Sequence, residues 1–295
     1  MTATVERVER TYRALSYEHR IVAPPRLGAF LRRFLAPFEA DVGPRAARYE
    51  LRYEEGAEKP WAMDLNGASL HRGRTPSRIL EFALWDIGTK AIASDHGCLA
   101  VHAAAASVDG LGIVLPAPPD SGKSTLVAGL TRAGCAYLTD EAALIEPADG
   151  TLHPYPRSLW LTKPSIEAVF GPGSDRLRWS TGRQFHVRPA DLRPRAVGRR
   201  CPVGFVISPR YEAGATTAIE PMSRAEALLL LADCAFYLER FGGAGIELLA
   251  NVVRDADCYR IRFGDLDEAV RAILAVVARG RSRIEAFAGR TSIVG

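Results

Sequence analysis

Lysine is scarce in this 295-residue chain: Lys59, Lys90, Lys123 and Lys163 are four among 38 basic residues, and arginine supplies the rest. Against 34 acidic residues the net charge is only +4, which excludes the strongly basic composition of a typical nucleic-acid-binding chain. Cysteine is sparse too. Cys98, Cys135, Cys201, Cys234 and Cys258 are odd in number, far apart and free of any C-x-x-C pair, which argues against a disulfide framework or a zinc site and fits a reducing compartment. Long apolar runs are also missing. The most apolar stretch, Ala225 to Leu238, carries Glu226 and Asp233 and falls short of the roughly 18 apolar residues of a membrane span. The opening MTATVERVERTYRALSYEHR has no uninterrupted apolar core of a cleaved signal. The expected compartment is therefore the cytoplasm, with no membrane partner.

A hydrophobic share of 47% allows one large core or two modest ones. The segment 1–95 mixes β-like pieces, Arg48 to Tyr53 and Trp61 to Leu65, with a helix over Pro76 to Ala93 on which Ile79, Phe82, Ala83, Asp86 and Lys90 follow helical spacing. It is read as a small α+β lobe. From Cys98 the texture changes to buried strands, CLAVHAAAAS and GIVLPA, then a helix from Lys123 and a further strand, AYLTDEAALIE. Later β-like runs fall at Thr151–Leu161, Val203–Ser208, Thr216–Glu220 and Cys258–Phe263, with helices expected at Arg224–Arg240, Ala244–Arg254 and Leu266–Arg279. The pattern predicts an α/β nucleotide-binding domain over 96–279. The remaining 280–295 reads as a flexible tail.

The sharpest motif is Ala117-Pro118-Pro119-Asp120-Ser121-Gly122-Lys123-Ser124-Thr125, which lacks only the first glycine of G-x-x-x-x-G-K-[ST]. Phosphate oxygens need inward-facing backbone N–H groups at a helix N-terminus, so the chain must bend sharply, which Gly122 permits. Asp120 to Thr125 form the candidate nucleotide cradle. Lys123 is suited to the β- and γ-phosphates and the Ser124 hydroxyl to Mg²⁺. Ala117 puts a Cβ where the motif has glycine, which restricts positive φ, and Pro118-Pro119 removes two backbone donors.

About sixteen residues past the lysine, Asp140 and Glu141 end a strand-like run. Adjacent acids beside a phosphate loop can hold Mg²⁺, and one can accept a hydroxyl proton; the plainer alternative is a solvated turn capped by Asp140. His102 shares a strand face with Ala104 and is either catalytic or a hydrogen-bonded core histidine. Arg157, in HPYPRSLWL, can neutralise charge on a transferring phosphoryl group or be one more surface arginine. The cluster Arg183 to Arg188, with Phe185, carries the same ambiguity.

Together, LAVHAAAASVDGLGIVLPAPPDSGKSTL, AYLTDEAALIE and HPYPRSLWL resemble the HPr kinase-related proteins. The subgroup called HPr kinase-related kinase A matches better than HPr kinase/phosphorylase, and the phosphoenolpyruvate carboxykinase fold is a more distant relative. The resemblance covers Cys98 to Leu161 well and extends loosely to about Arg279. It implies a mixed-sheet P-loop kinase core. It also implies that Lys123 binds the β/γ-phosphates, that Ser124 and Glu141 organise Mg²⁺ with Asp140 beside them, and that Asp140 is the base toward a hydroxyl. The phosphocarrier kinases follow their acidic pair with a Glu-Ile-Arg-Gly signature, which is replaced here by PYPRSLWL, so HPr itself is not the expected acceptor.

The expected activity is ATP- and Mg²⁺-dependent transfer of the γ-phosphoryl group to a hydroxyl of a small molecule, peptide or carrier protein. Catalysis is assigned to Asp140, Lys123, His102 and Arg157, and metal binding to Ser124, Asp140 and Glu141. The alternative is a nucleotide-gated binding or regulatory protein with little or no transfer. Homo-oligomerisation is left open.

Overall fold

A computed structural model describes residues 6–174, 180–182 and 184–291, with side chains described as far as 280. The chain divides into two compact units, one of Met1–Gly97, Arg157–Ile166 and Gly173–Arg188, the other of Cys98–Pro156, Glu167–Pro172 and Pro189–Gly295. The first boundary adjoins the expected 95/96. The sequence pattern treats each domain as one continuous stretch, whereas two later segments group with the amino-terminal unit.

The first unit opens with β1 (Val8–Ala14), β2 (Tyr17–Ala23), α1 (Pro25–Leu35), β3 (Ala47–Tyr53), β4 (Trp61–Leu65), β5 (Ala68–Gly73) and α2 (Pro76–Ala93). Its sheet has the order β1-β2-β3-β4-β5, antiparallel except for the β2–β3 pair. The parallel pair has α1 as part of its connection, as a crossover requires. Helix α2 starts where Thr75 caps Arg78 N and Pro76 enters the first turn. Its inner face buries Ile79, Ala83 and Ile87 against Tyr49, Leu51 and Met63. Asp86 lies on that face and is buried; its Oδ2 accepts the Tyr49 hydroxyl at 2.6 Å, and its Oδ1 pairs with Lys90.

The second unit contains β6 (Leu99–Val108), β7 (Leu111–Pro116), α3 (Lys123–Arg132), β8 (Ala136–Thr139), β9 (Ala142–Ile145) and β10 (Thr151–His153). Next in the chain come β11 (Leu159–Leu161), α4 (Lys163–Phe170) and β12 (Phe185–Val187). β11 and β12 pair as a ribbon belonging to the first unit. There the His186 ring lies between Phe30 and Trp160, with edge-on centroid distances of 5.6 and 5.2 Å. The second unit resumes with α5 (Pro189–Leu192), β13 (Cys201–Tyr211), β14 (Ala218–Pro221), α6 (Arg224–Asp233), β15 (Ala235–Phe236), α7 (Gly242–Asp255), β16 (Asp257–Phe263) and α8 (Leu266–Thr291).

Its sheet is mixed: β13 runs parallel to β7 and β16, while β6 is antiparallel to β7, β8 and β9. β10 pairs with both β9 and β13, so pairing returns on itself through β6, β7, β13, β10 and β9. Gly112 sits where this circuit closes; a Cβ there would stand 2.5 Å from Leu152 Cδ1. Val101, Ala103, Ala105 and Val114 line one face and pack with Leu231 of α6 and Leu248, Leu249 and Val252 of α7.

Three expectations are corrected. The run 136–146 is two strands, broken at Asp140-Glu141, not one. The helix expected to reach Arg240 ends at Asp233, because Ala235 and Phe236 turn out to pair with Val101 and Ala100 of β6. Helix α8, expected to end at Arg279, runs on to Thr291, and 292–295 lie outside the described residues.

Candidate functional site

The site grows from the end of β7. Its fully buried Ile113, Val114 and Leu115 anchor the strand, the loop Ala117–Gly122 leaves the sheet, and α3 begins at Lys123. The left-handed positions in this loop are Asp120, at φ 61°, and Gly122, at φ 89°. Ala117 is not among them and is fully buried, so its Cβ meets no positive-φ penalty and the expected defect does not arise. At Gly122 the missing side chain matters twice. The backbone is left-handed, and a Cβ would lie 3.0 Å from Phe263 Cζ and 3.1 Å from Tyr211 Cβ. The loop is held from outside by Tyr211 N, which donates to Ser121 O at 3.1 Å. Helix α3 closes at Gly134, φ 112°, with Gly134 N and Cys135 N donating to Thr131 O and Leu130 O.

Lys123 is 6% exposed. Its Nζ donates to the carbonyl oxygens of Ala117 and Pro118 at 2.7 and 2.8 Å, so Pro118 supplies an acceptor even though it has no donor. Burial pushes the ammonium pKa below its ordinary value, while Cys234, Glu141, Asp120 and Asp140 act in the opposite direction. The Ser121 Oγ is buried without a hydrogen-bond partner. A buried hydroxyl left unpaired beside a glycine-opened loop is what an absent ligand oxygen would satisfy.

Strand directions bring the acids to the same place. β7 and β8 both lie antiparallel to the second half of β6, so they run parallel to each other and their carboxyl ends meet one sheet edge. The loop follows β7 at that edge and Asp140-Glu141 follow β8. Asp140 is 3% exposed, and its Oδ1 accepts the Tyr137 hydroxyl at 3.1 Å. Thr139 Oγ1 accepts from Glu141 N and Ala142 N at 3.2 and 3.3 Å, fixing the corner between β8 and β9. On β6, His102 Nδ1 stands 3.5 Å from Glu141 Oε1. Its ring meets Phe236 edge-on at 5.6 Å, and the His102 backbone N–H donates to Cys234 O at 2.7 Å.

Lys123, Asp140, Glu141 and His102 all belong to the second unit. Ser124 and Thr125, in the first turn of α3, are half-buried. Arg157 falls in the first unit, where its guanidinium lies over the Trp160 ring at 4.8 Å. Arg183 lies outside the described residues. Sequence reasoning missed Tyr137, Cys234 and Phe236. The alternation of β8 gave a signal for Tyr137; the other two reach the site through the non-local pairing of β15 with β6. For a metal, the Ser124 hydroxyl and the Asp140 and Glu141 carboxylates are hard oxygen donors, a set that suits Mg²⁺.

No family model matches the sequence, and no curated protein does. Among solved structures, the chain is similar to the Hpr(Ser) kinase/phosphatase from Coxiella burnetii at 14% identity, over 63% of this chain and 98% of that chain, with a TM-score of 0.32. A likeness this distant assigns no function.

Proposed function

We propose that the chain is an ATP- and Mg²⁺-dependent kinase that transfers the γ-phosphoryl group to a hydroxyl of a small molecule, peptide or carrier protein. One observation carries this reading. A Gly122-Lys123 loop with an unpartnered buried Ser121 hydroxyl and an acidic pair, Asp140-Glu141, occupy the same carboxyl edge of one sheet. Phosphoryl transfer depends mainly on positioning and charge stabilisation, which such an edge supplies.

In this account Lys123 exchanges the Ala117 and Pro118 carbonyls for β- and γ-phosphate oxygens. Ser124 and Glu141 hold the metal, and His102 keeps the Glu141 carboxylate turned toward it. Held by those residues, Mg²⁺ would supply charge neutralisation for the transferring phosphoryl group. Asp140, oriented by Tyr137 through Oδ1, takes the acceptor hydroxyl proton as the new P–O bond forms and ADP departs. Arg157 is given no step, since it has a place over Trp160 in the first unit.

The test follows acceptor-dependent ADP formation over a panel of hydroxyl compounds and serine peptides, comparing the native protein with Asp140→Asn. Transfer by the native protein and its loss in the variant is the expected result. ATP binding without transfer to any acceptor would favour the nucleotide-gated alternative.

A further inference from the structure

Beyond the phosphate loop, the second unit gathers one cysteine, one histidine and one glutamate from three adjacent strands. β6 pairs with β9 so that Leu99 faces Ile145, which sets Cys98 opposite Glu146 just past both strand ends. β9 pairs with β10 so that Leu152 faces Ile145 and His153 faces Leu144. Strand alternation then puts Cys98, Glu146 and His153 on one face. Their ligand atoms lie within 4.8 Å of one another.

We propose that Cys98, Glu146 and His153 form a zinc site, with its fourth position open to water or another small donor. A thiolate, an imidazole and a carboxylate make a mixed S/N/O set that zinc accepts and Mg²⁺ does not. Tetrahedral bonds of about 2.0–2.3 Å put neighbouring ligand atoms roughly 3.3–3.6 Å apart. His153 Nε2 and Glu146 Oε2 already stand at 3.4 Å. That nitrogen is buried and makes no hydrogen bond, so an ion shared with the carboxylate would satisfy it. The ligand charges of −2 balance a divalent ion. The neighbouring cation, Arg200, is held by Asp149 and by Thr151 Oγ1. Cysteine spacing alone argues against zinc, because Cys98, Glu146 and His153 follow no zinc pattern in the chain; the strand register brings them together.

The test strips the full-length protein with a chelator and titrates it with Co²⁺. One equivalent should bind with the intense visible bands of a four-coordinate ion and a near-ultraviolet sulfur-to-cobalt band, both removed by equimolar Zn²⁺. Cys98→Ser should lose the sulfur band, and His153→Gln should weaken Co²⁺ binding at least tenfold, with both variants checked for folding by circular dichroism. If Cys98→Ser fails to fold, His153→Gln carries the test. Neither variant touches the phosphate loop, so ATP binding should be unchanged in both. A native protein with no such bands, bands that persist without Cys98, or unweakened binding in His153→Gln would overturn the site.

Discussion

The Nζ of Lys123 stands 2.7 Å from the carbonyl oxygen of Ala117, six residues back, so the lysine ties its own loop shut. This contact and its neighbour at Pro118 give the buried ammonium partners before any phosphate arrives. Replacing Lys123 with Met removes a buried charge and leaves two carbonyls unpaired. These effects oppose each other, each on the order of 1–3 kcal/mol. Chemical denaturation should therefore show a folded variant within about 2 kcal/mol of the native protein. Loss of the cooperative transition would mean that the lysine is needed to build the loop.

Asp140→Asn keeps the shape and the Tyr137 hydroxyl contact but removes the proton acceptor. Turnover should fall roughly 10²- to 10⁴-fold, with ATP affinity changed less than about threefold, since the proposed phosphate contacts come from Lys123 and its loop. Steady-state kinetics with ATP titration separate the two effects. Near-native turnover would remove Asp140 from the base role.

Gly122→Ala should be damaging out of proportion to one methyl group. The new Cβ meets Phe263 at 3.0 Å and Tyr211 at 3.1 Å while the backbone stays at φ 89°. A cost of about 1–3 kcal/mol is expected, read as a lower Tm, together with lost nucleotide binding. Ala117→Gly, at a position outside the left-handed region, should not tighten ATP binding.

The first unit should weaken in acid. His19 is fully buried and stacks on Tyr12 and Tyr17, with ring centroids 5.5 and 5.2 Å apart. Burial pushes its pKa down to about 4, and burial together with Arg157 pushes that of His186 down to about 3. Below about pH 6.5 the unfolded chain takes up protons that the folded state refuses, so stability falls as pH drops through that value. For His19 the loss continues to about pH 4 and reaches roughly 3 kcal/mol. The Tm should fall as pH drops through this range, and His19→Phe should flatten the dependence of Tm on pH. An unchanged slope in that variant would assign the acid sensitivity elsewhere.

What was legible in the sequence was local. The strand β7, the bend at Gly122 and helix α3 are fixed by neighbouring residues: an apolar run, a glycine and a Gly134 stop. Helix α2 announced itself from Pro76 through the spacing of Ile79, Phe82 and Ala83, although the pattern could not say that Asp86 is buried with Tyr49. The rest depended on partners distant in the chain. Nothing between Arg224 and Arg240 breaks a helix, yet pairing with β6 draws Ala235 and Phe236 into a strand. Likewise, 185–187 groups with the amino-terminal unit through distant partners, His186 packing on Phe30 and Phe34. Within the candidate site, the sequence pattern set the acids beside the Lys123 loop, whereas the Tyr137 contact to Asp140 and the approach of Cys234 and Phe236 to His102 depend on side-chain geometry and non-local pairing.

Phosphoryl transfer at the shared carboxyl edge requires that it bind ATP with magnesium through Lys123. Calorimetric titration of ATP into the native protein and into Lys123→Met, with and without Mg²⁺, tests it most directly. Binding to the native protein should be enhanced by magnesium and weakened about 10- to 100-fold in the variant, as expected for lost charge-assisted hydrogen bonds. Equal affinity in the two proteins, or no binding by the native protein with Mg²⁺ present, would contradict it.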